Sequence, residues 1–202
     1  MTTIDLRKVR SEYTAKKTPE IVEIPTRQFL MIDGAGDPNT ADEYRHAIEA
    51  LYPLAYALRA EVKTASGDAY VVMPLEGLWW AEDMRDFHTD DKSNWLWTAM
   101  IGLPDAVTSA MVQDTLPAVT KKKQLVAGDR VRVAQFAEGR AAQVLHIGPY
   151  AAEAPTIEAL HQFIARTGYQ LSGKHHEIYL SDPRRADPWK LRTIIRQPFS
   201  DA

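Results

Sequence analysis

The run Pro74-Leu75-Glu76-Gly77-Leu78-Trp79-Trp80, with Trp95-Leu96-Trp97 downstream, gathers four of the chain's five tryptophans around one carboxylate. Indoles are large and flat and carry an N–H that needs an acceptor, so several beside an ionisable Glu describe an aromatic-walled pocket with a polar centre. The competing reading is ordinary core on adjacent strands. A second carboxylate, Glu177, precedes Tyr179 in His176-Glu177-Ile178-Tyr179. A carboxylate whose pKa is raised by burial beside aromatics can take a proton from water, while a Tyr hydroxyl or an indole N–H donates to a carbonyl oxygen. That pair of roles is the chemistry of water addition. The same carboxylate in an aromatic box also attracts a cationic aromatic molecule, so these residues alone leave catalyst and binder open.

Other chemistries find little support in the chain. Cysteine is absent, which removes disulfides, thiolate metal sites and a cysteine nucleophile together. His175 and His176 are adjacent on a predicted strand and point to opposite faces, the wrong arrangement for joint metal ligation. His46 and His161 fall on predicted helices, His88 in an acidic loop and His146 on a strand, none with an evident partner. Ser93, Ser172 and Ser181 form no Ser-His-Asp pattern. Arg184-Arg185 after Asp182-Pro183 reads as a solvated turn. No metal and no cofactor is expected.

With 24 Lys and Arg against 27 Asp and Glu, the net charge of −3 and the spread of basic residues argue against a nucleic-acid partner. Lys121-Lys122-Lys123 reads as a solvated helix end. Residues 1–17 hold no apolar leader core, and no run reaches the roughly 18 apolar residues of a membrane span, so the expectation is a cytoplasmic protein without a membrane partner. A chain of 202 residues is long enough for one large domain with a proper core.

The elements that would position these residues follow from periodicity. Residues 28–32 form an apolar strand ended by Asp33-Gly34-Ala35-Gly36-Asp37-Pro38-Asn39. A helix follows, with Thr40 and Glu43 as a capping box, an apolar face of Tyr44, Ala47, Ile48, Leu51, Ala55, Leu58 and Val62, and a kink or break near Leu51 and Tyr52 imposed by Pro53. Residues 68–80 predict a strand and 95–101 its antiparallel partner, with the long acidic link 82–94 as a rim or lid over a cleft. Residues 105–123 predict a helix. Residues 131–136 and 141–147 predict a hairpin around Glu138-Gly139. A helix with Pro155 in its first turn and Gly168 as its stop, then strands at 176–181 and 191–197, complete the chain.

Two units with one order, strand, Gly/Pro turn, helix, strand, strand, emerge at about 28–101 and 141–197. The expectation is an α+β fold in a single domain spanning 1–202 with an N-terminal extension, in which tandem duplicated units pack about a pseudo-twofold axis and enclose a groove. Glu76 and Glu177, each mid-strand after a helix, would then face the groove from the two halves, with Tyr179 beside Glu177 and with Ile178 and Leu180 turned to the helices. Glu76, Leu78 and Trp80 share one face by alternation. The duplication supplies a pseudodimer within one chain, so a monomer is expected.

The blocks Phe29-Leu30-Met31-Ile32-Asp33-Gly34-Ala35-Gly36-Asp37-Pro38-Asn39, Pro74 to Trp80, Trp95-Leu96-Trp97 with Met100-Ile101, and His176 to Arg185 resemble the GyrI-like small-molecule-binding superfamily, over about residues 6–198. More narrowly they resemble its stand-alone branch. The resemblance implies a central ligand groove and the activity of cyclopropanoid cyclohydrolases, which open the electrophilic cyclopropane of planar DNA-alkylating products such as yatakemycin. It implies detoxification or self-resistance, with Glu177, Glu76 and Tyr179 as the catalytic candidates and Trp79, Trp80, Trp95, Trp97, Tyr150, Tyr52 and Tyr56 as ligand-binding walls for a planar aromatic small molecule. The superfamily also holds drug-sensing domains fused to DNA-binding helices. The stretch before Phe29 is too short for such a fusion, so a sensor is expected to act alone, and non-catalytic multidrug-type binding or sensing is the rival reading.

Overall fold

In a computed structural model of the chain, residues 3–82 and 92–201 are described. His88 and most of the anticipated 82–94 rim lie outside the described residues. The first apolar run is β3 (Arg27–Ala35), preceded by β2 (Glu20–Ile24), and the Gly/Pro turn leads into α2 (Asp42–Ser66). The helix begins after Ala41, not at Thr40: the Thr40 N–H is already bonded to the Asp37 carbonyl within the turn, so no capping box forms. Nor does α2 break at Pro53. Leu51, Leu54 and Leu58 are fully buried, each stabilising by about 1.5–3 kcal/mol, which together outweigh the roughly 3 kcal/mol an internal proline costs.

The predicted 68–80 strand is divided into β4 (Ala69–Tyr70) and β5 (Leu75–Trp80) at Pro74, which has no N–H for a ladder. Strand β4 pairs in parallel with β1 (Thr3–Ile4), which leads into the short helix α1 (Leu6–Val9). Then β6 (Leu96–Gly102) and α3 (Ser109–Lys123) follow, with Lys121, Lys122 and Lys123 exposed in the last helical turn. The second unit contains β7 (Arg132–Phe136), β8 (Gly139–Ile147), α4 (Ala154–Arg166), β9 (Tyr169–Leu171), β10 (His175–Tyr179) and β11 (Arg192–Asp201).

The main sheet runs β2-β8-β11-β10-β5-β6-β3-β7, with β9 on the far end of β11. Its order is palindromic: β3 matches β8, β5 matches β10, β6 matches β11, and the antiparallel β5–β10 pair lies at the centre. The expected hairpin at Glu138-Gly139 does not form. Strand β7 instead pairs with β3 of the first unit, while β2 crosses to β8 of the second. Only Pro25 and Thr26 link β2 to β3, although β2 forms one edge and β3 stands next to the other. Such a link reaches about 10 Å, whereas a flat sheet would separate those strands by about 29 Å. The sheet must therefore curl until its edges meet.

Both α2 and α4 lie on one face of this sheet. Helix α2 covers β3 and β6, α4 covers β8, β9 and β11, and the central β5–β10 seam runs between the strands they cover. Ile195, the direct cross-strand partner of Glu177, packs on Leu160 and Ile164 of α4, so Glu177 shares the helix-bearing face and Ile178 points away from it. This reverses the expected orientation of Ile178 relative to the helices.

The inside of the curl holds a buried charged network. The Tyr13 hydroxyl donates to Glu76 Oε1 at 2.7 Å, His176 Nε2 lies 3.0 Å from Glu76 Oε2, and His176 Nδ1 lies 2.8 Å from Glu138 Oε1. Arg196 Nη1 donates to Glu138 Oε2 at 2.9 Å and its other nitrogens reach Gln143 and the Glu12 carbonyl. Both ring nitrogens of His176 face carboxylates, so both donate and the ring is an imidazolium. Burial by itself lowers its pKa, but Glu138 and Glu76 carry it up to about 9. Burial likewise raises Glu138, which His176 and Arg196 nonetheless hold down at about 2.

A buried ion pair that loses one partner leaves a stranded charge, so His176→Phe is expected to destabilise the protein by ~3–5 kcal/mol at neutral pH in urea denaturation. The raised pKa sets the pH window. The stabilisation from His176 is complete below its unfolded value of 6.5 and is lost as pH rises through about 9. The difference between wild type and His176→Phe should accordingly narrow when the denaturation is repeated at pH 10.

Candidate functional site

Strand β10 alternates, so His175, Glu177 and Tyr179 rise on the helix-bearing face while His176 and Ile178 enter the curl. Its register against β5 sets Glu177 opposite Gly77. No side chain grows from Gly77, and the space is taken by the indole of Trp79, which lies back over the glycine: a Cβ there would sit 2.6 Å from Trp79 Nε1. That placement lets the Trp79 N–H donate to the Tyr179 hydroxyl at 3.2 Å, which in turn donates to Glu177 Oε2 at 2.7 Å. His175 Nε2 stands 3.1 Å from Glu177 Oε1. Both oxygens of Glu177 are thus engaged and its orientation is fixed.

Aromatic rings wall this carboxylate. Tyr44, projecting from the first turns of α2, packs 5.4 Å from Trp79 and 5.0 Å from Trp97 between ring centroids. Trp95 lies 5.6 Å from Trp79 with the Lys92 ammonium 4.7 Å over its ring, and Tyr150 meets Tyr179 edge-on at 5.5 Å. Tyr150 is 39% exposed and forms the rim. Burial, with Glu153 and Glu177 nearby, pushes its hydroxyl up to about 12, so it is a donor at any ordinary pH. Burial opposes ionisation of Glu177, but the hydrogen bond and charge of His175 and the Tyr179 hydroxyl hold its carboxyl below the ordinary value. Glu177 is therefore a carboxylate, and not the raised-pKa group the sequence suggested.

A second carboxyl shares the site. Glu153 precedes α4, is 4% exposed, and its pKa is pushed up to about 9 by burial and by the charge of Glu177. In sequence it reads as a plain acid at a helix start. Tyr44 likewise reads as one member of an apolar helical face.

The other anticipated residues divide by face. Glu76 does not meet Glu177: it lies in the curl, where the cavity beside it, lined by Tyr13, Arg27, His176 and Arg196, measures about 10 Å³, room for one water. Trp80 shares that face, with the Lys174 ammonium 3.2 Å above its ring. Trp97 lies on the groove face but is fully buried, its ring filling the space over Gly34. Glu76 and Glu177 are offset by one residue of register and are not equivalent in the two units. Aligning the positive-φ glycines that follow the first strands, Gly36 and Gly148, and following the pairings through each unit matches Glu76 to His176 and Gly77 to Glu177.

Tyr52 and Tyr56 stack at 6.5 Å along α2, and Tyr56 opens onto an outer recess of about 550 Å³ shared with Asp182, Arg184 and Arg185. Arg184 is engaged there by Asp182 through two 3.0 Å hydrogen bonds, as a solvated turn predicts. Among the described residues no cluster of His, Asp and Glu is arranged to hold a metal, and no helix is long and apolar enough to cross a membrane.

Comparison with known proteins agrees with this architecture. An uncharacterized conserved protein from Listeria innocua is 39% identical, with 98% of this chain and all of that one aligned at a TM-score of 0.90. A hydrolase from Listeria innocua is 37% identical over the same shares at a TM-score of 0.87. The C-terminal domain of EcmrR, at 15% identity over 92% of this chain and 98% of that one and a TM-score of 0.56, shares the fold. No curated protein matches the sequence significantly. The model of the GyrI-like small molecule binding domain matches residues 17–198, so the chain belongs to the GyrI-like family.

Proposed function

We propose that this protein is a cofactor-independent hydrolase that binds bulky planar aromatic molecules in the groove and opens the electrophilic cyclopropane of cyclopropylpyrroloindole-type DNA-alkylating compounds such as yatakemycin by adding water. The role is protective: detoxification or self-resistance. The observation that carries the reading is Glu177, an oriented carboxylate on the groove floor under Trp79 and among Tyr44, Trp95 and Tyr150. Similarity to a Listeria innocua hydrolase over the whole chain supports hydrolysis.

The spirocyclopropane of such a compound is conjugated to a dienone. Glu177 takes a proton from water while the water oxygen bonds to the ring methylene. The bond from that methylene to the spiro carbon breaks, and its electron pair aromatises the ring and collects on the former carbonyl oxygen. The Tyr179 hydroxyl is committed to Glu177 and the Trp79 N–H to Tyr179, so both position the base. The hydrogen bond to the carbonyl oxygen is left to Tyr150 on the rim. Flat walls hold the rings for in-line attack, which lowers the barrier by orientation as well as affinity.

A purely binding role, in which the Glu177 carboxylate attracts a cationic aromatic drug without turnover, is separated from catalysis by one experiment. Incubation with a cyclopropylpyrroloindole, followed by mass spectrometry, is expected to yield a product heavier by one water. Unchanged ligand travelling with the protein would mean binding alone. Removing a general base costs about 10²–10⁴ in rate, so Glu177→Gln should lose turnover by that factor while retaining ligand. Glu76→Gln should keep turnover per folded molecule and lose stability instead. Turnover untouched by Glu177→Gln would discard it as the base. Gly77→Ala, which drives a methyl into Trp79, should weaken ligand affinity and change tryptophan fluorescence at a stability cost of about 1–3 kcal/mol.

A further inference from the structure

The reaction proposed above needs a proton source for the oxygen as well as a base for water: Tyr179 is committed to Glu177 and Trp79 to Tyr179, and Tyr150, whose hydroxyl keeps its proton up to about 12, can hydrogen-bond that oxygen without protonating it. We infer that Glu153 is that source: a second, proton-bearing carboxyl that works as the general acid opposite the Glu177 base. The inference rests on the proposed reaction for its substrate but on the fold for the residue.

Three features of the fold converge on Glu153. The turn Gly148-Pro149-Tyr150 ends β8 and delivers Tyr150 to the rim and Glu153 to the mouth of α4, three residues apart, on the wall facing β10. Glu153 is nearly inaccessible, and its Oε1 has no hydrogen-bond partner among the described residues. A buried carboxylate with a bare oxygen beside another carboxylate is strongly disfavoured, whereas a buried carboxylic acid is not. The groups acting on it are Glu177 and Tyr179 from β10, Tyr150 from its own turn, Thr193 from β11 and Lys92 ahead of β6. Of these, Thr193 and then Lys92 oppose the effect, while Glu177 is its largest contributor after burial. Two carboxyls with pKa values pushed apart by their surroundings are the arrangement that assigns acid and base.

The step balances. Glu177 accepts a proton from water as the carbon–oxygen bond forms and the cyclopropane bond breaks, and Glu153 gives its proton to the oxygen of the newly aromatic ring, making a phenol. The enzyme then holds one proton on Glu177 and none on Glu153. Transfer between them, directly or through solvent, restores the starting state without any other reactant.

The test uses full-length wild type, Glu153→Gln and Glu177→Gln, with ethidium as a planar cationic probe and a cyclopropylpyrroloindole as substrate. Between pH 7.5 and 9.5 wild-type affinity for ethidium is expected to rise, by up to roughly tenfold per pK unit of interaction, as Glu153 loses its proton and the groove gains a second negative charge. Glu153→Gln should bind ethidium with no such rise, and because it retains His176 any pH response of the scaffold is common to both proteins. With substrate, wild-type turnover should fall as pH climbs through about 9, and Glu153→Gln should be slowed by about 10²–10⁴ with that limb gone and ligand still bound. An ethidium pH response unchanged in Glu153→Gln, or full turnover by that variant, overturns the assignment. Absence of turnover in wild type itself would defeat the proposed reaction, while the ethidium titration still decides whether Glu153 carries the proton.

Discussion

Everything in this molecule depends on one register: β5 and β10 pair at the centre of the sheet with Gly77 opposite Glu177. Because side chains alternate with a period of two, that pairing sends Glu177, Tyr179 and Trp79 to the side of the helices and Glu76 and His176 into the curl. One residue of slip would exchange the two sets, turning Glu76 and His176 toward the helices and Glu177 into the curl. The absence of a Cβ at Gly77 completes the arrangement, since the indole that hydrogen-bonds Tyr179 occupies the vacant volume.

The curl and the groove are consequences of the same exchange of strands. Strand β2 pairs with the second unit and β7 with the first, so the two-residue links pull the sheet edges together and neither unit can complete its own sheet alone. The interior of the curl is then too crowded for a ligand, and it is closed by ion pairs and hydrogen bonds joining the N-terminal segment, β5, β10, β11 and the turn before β8. On the opposite face the helices cover only the flanking strands. Two carboxyls near the central seam sit in different surroundings: both oxygens of Glu177 are engaged by His175 and Tyr179, whereas Oε1 of Glu153 has no hydrogen-bond partner among the described residues.

Much of this is legible in the sequence. The Gly/Pro turn before α2, the alternation in His175-His176-Glu177-Ile178-Tyr179 and the opposition of the two histidines follow from residue type and spacing, although the turn starts at Gly36 because Asp33, Gly34 and Ala35 still pair with β6. Where the fold departs from local rules, long-range contacts decide. Pro53 stays inside α2 because three buried leucines outweigh one missing hydrogen bond, and the Glu138-Gly139 turn joins two strands that pair elsewhere because the sheet closes on itself. Nothing local marks Glu153, because an acid at the start of a helix is ordinary in sequence, and only its burial near Glu177 makes it unusual.

The sequence by itself determined the order of elements, the repeat, the side-chain alternation within each strand and, through its long motif blocks, the family. Periodicity and turn chemistry are properties of neighbouring residues, so they are written locally. Only the tertiary structure decided that Glu76 and Glu177 serve different faces, that Trp80 lines the curl and Trp97 the core, and that Glu153 and Tyr44 join the site. Those outcomes turn on how strands a hundred residues apart align, and a one-residue difference in that alignment moves a side chain from one side of a sheet to the other.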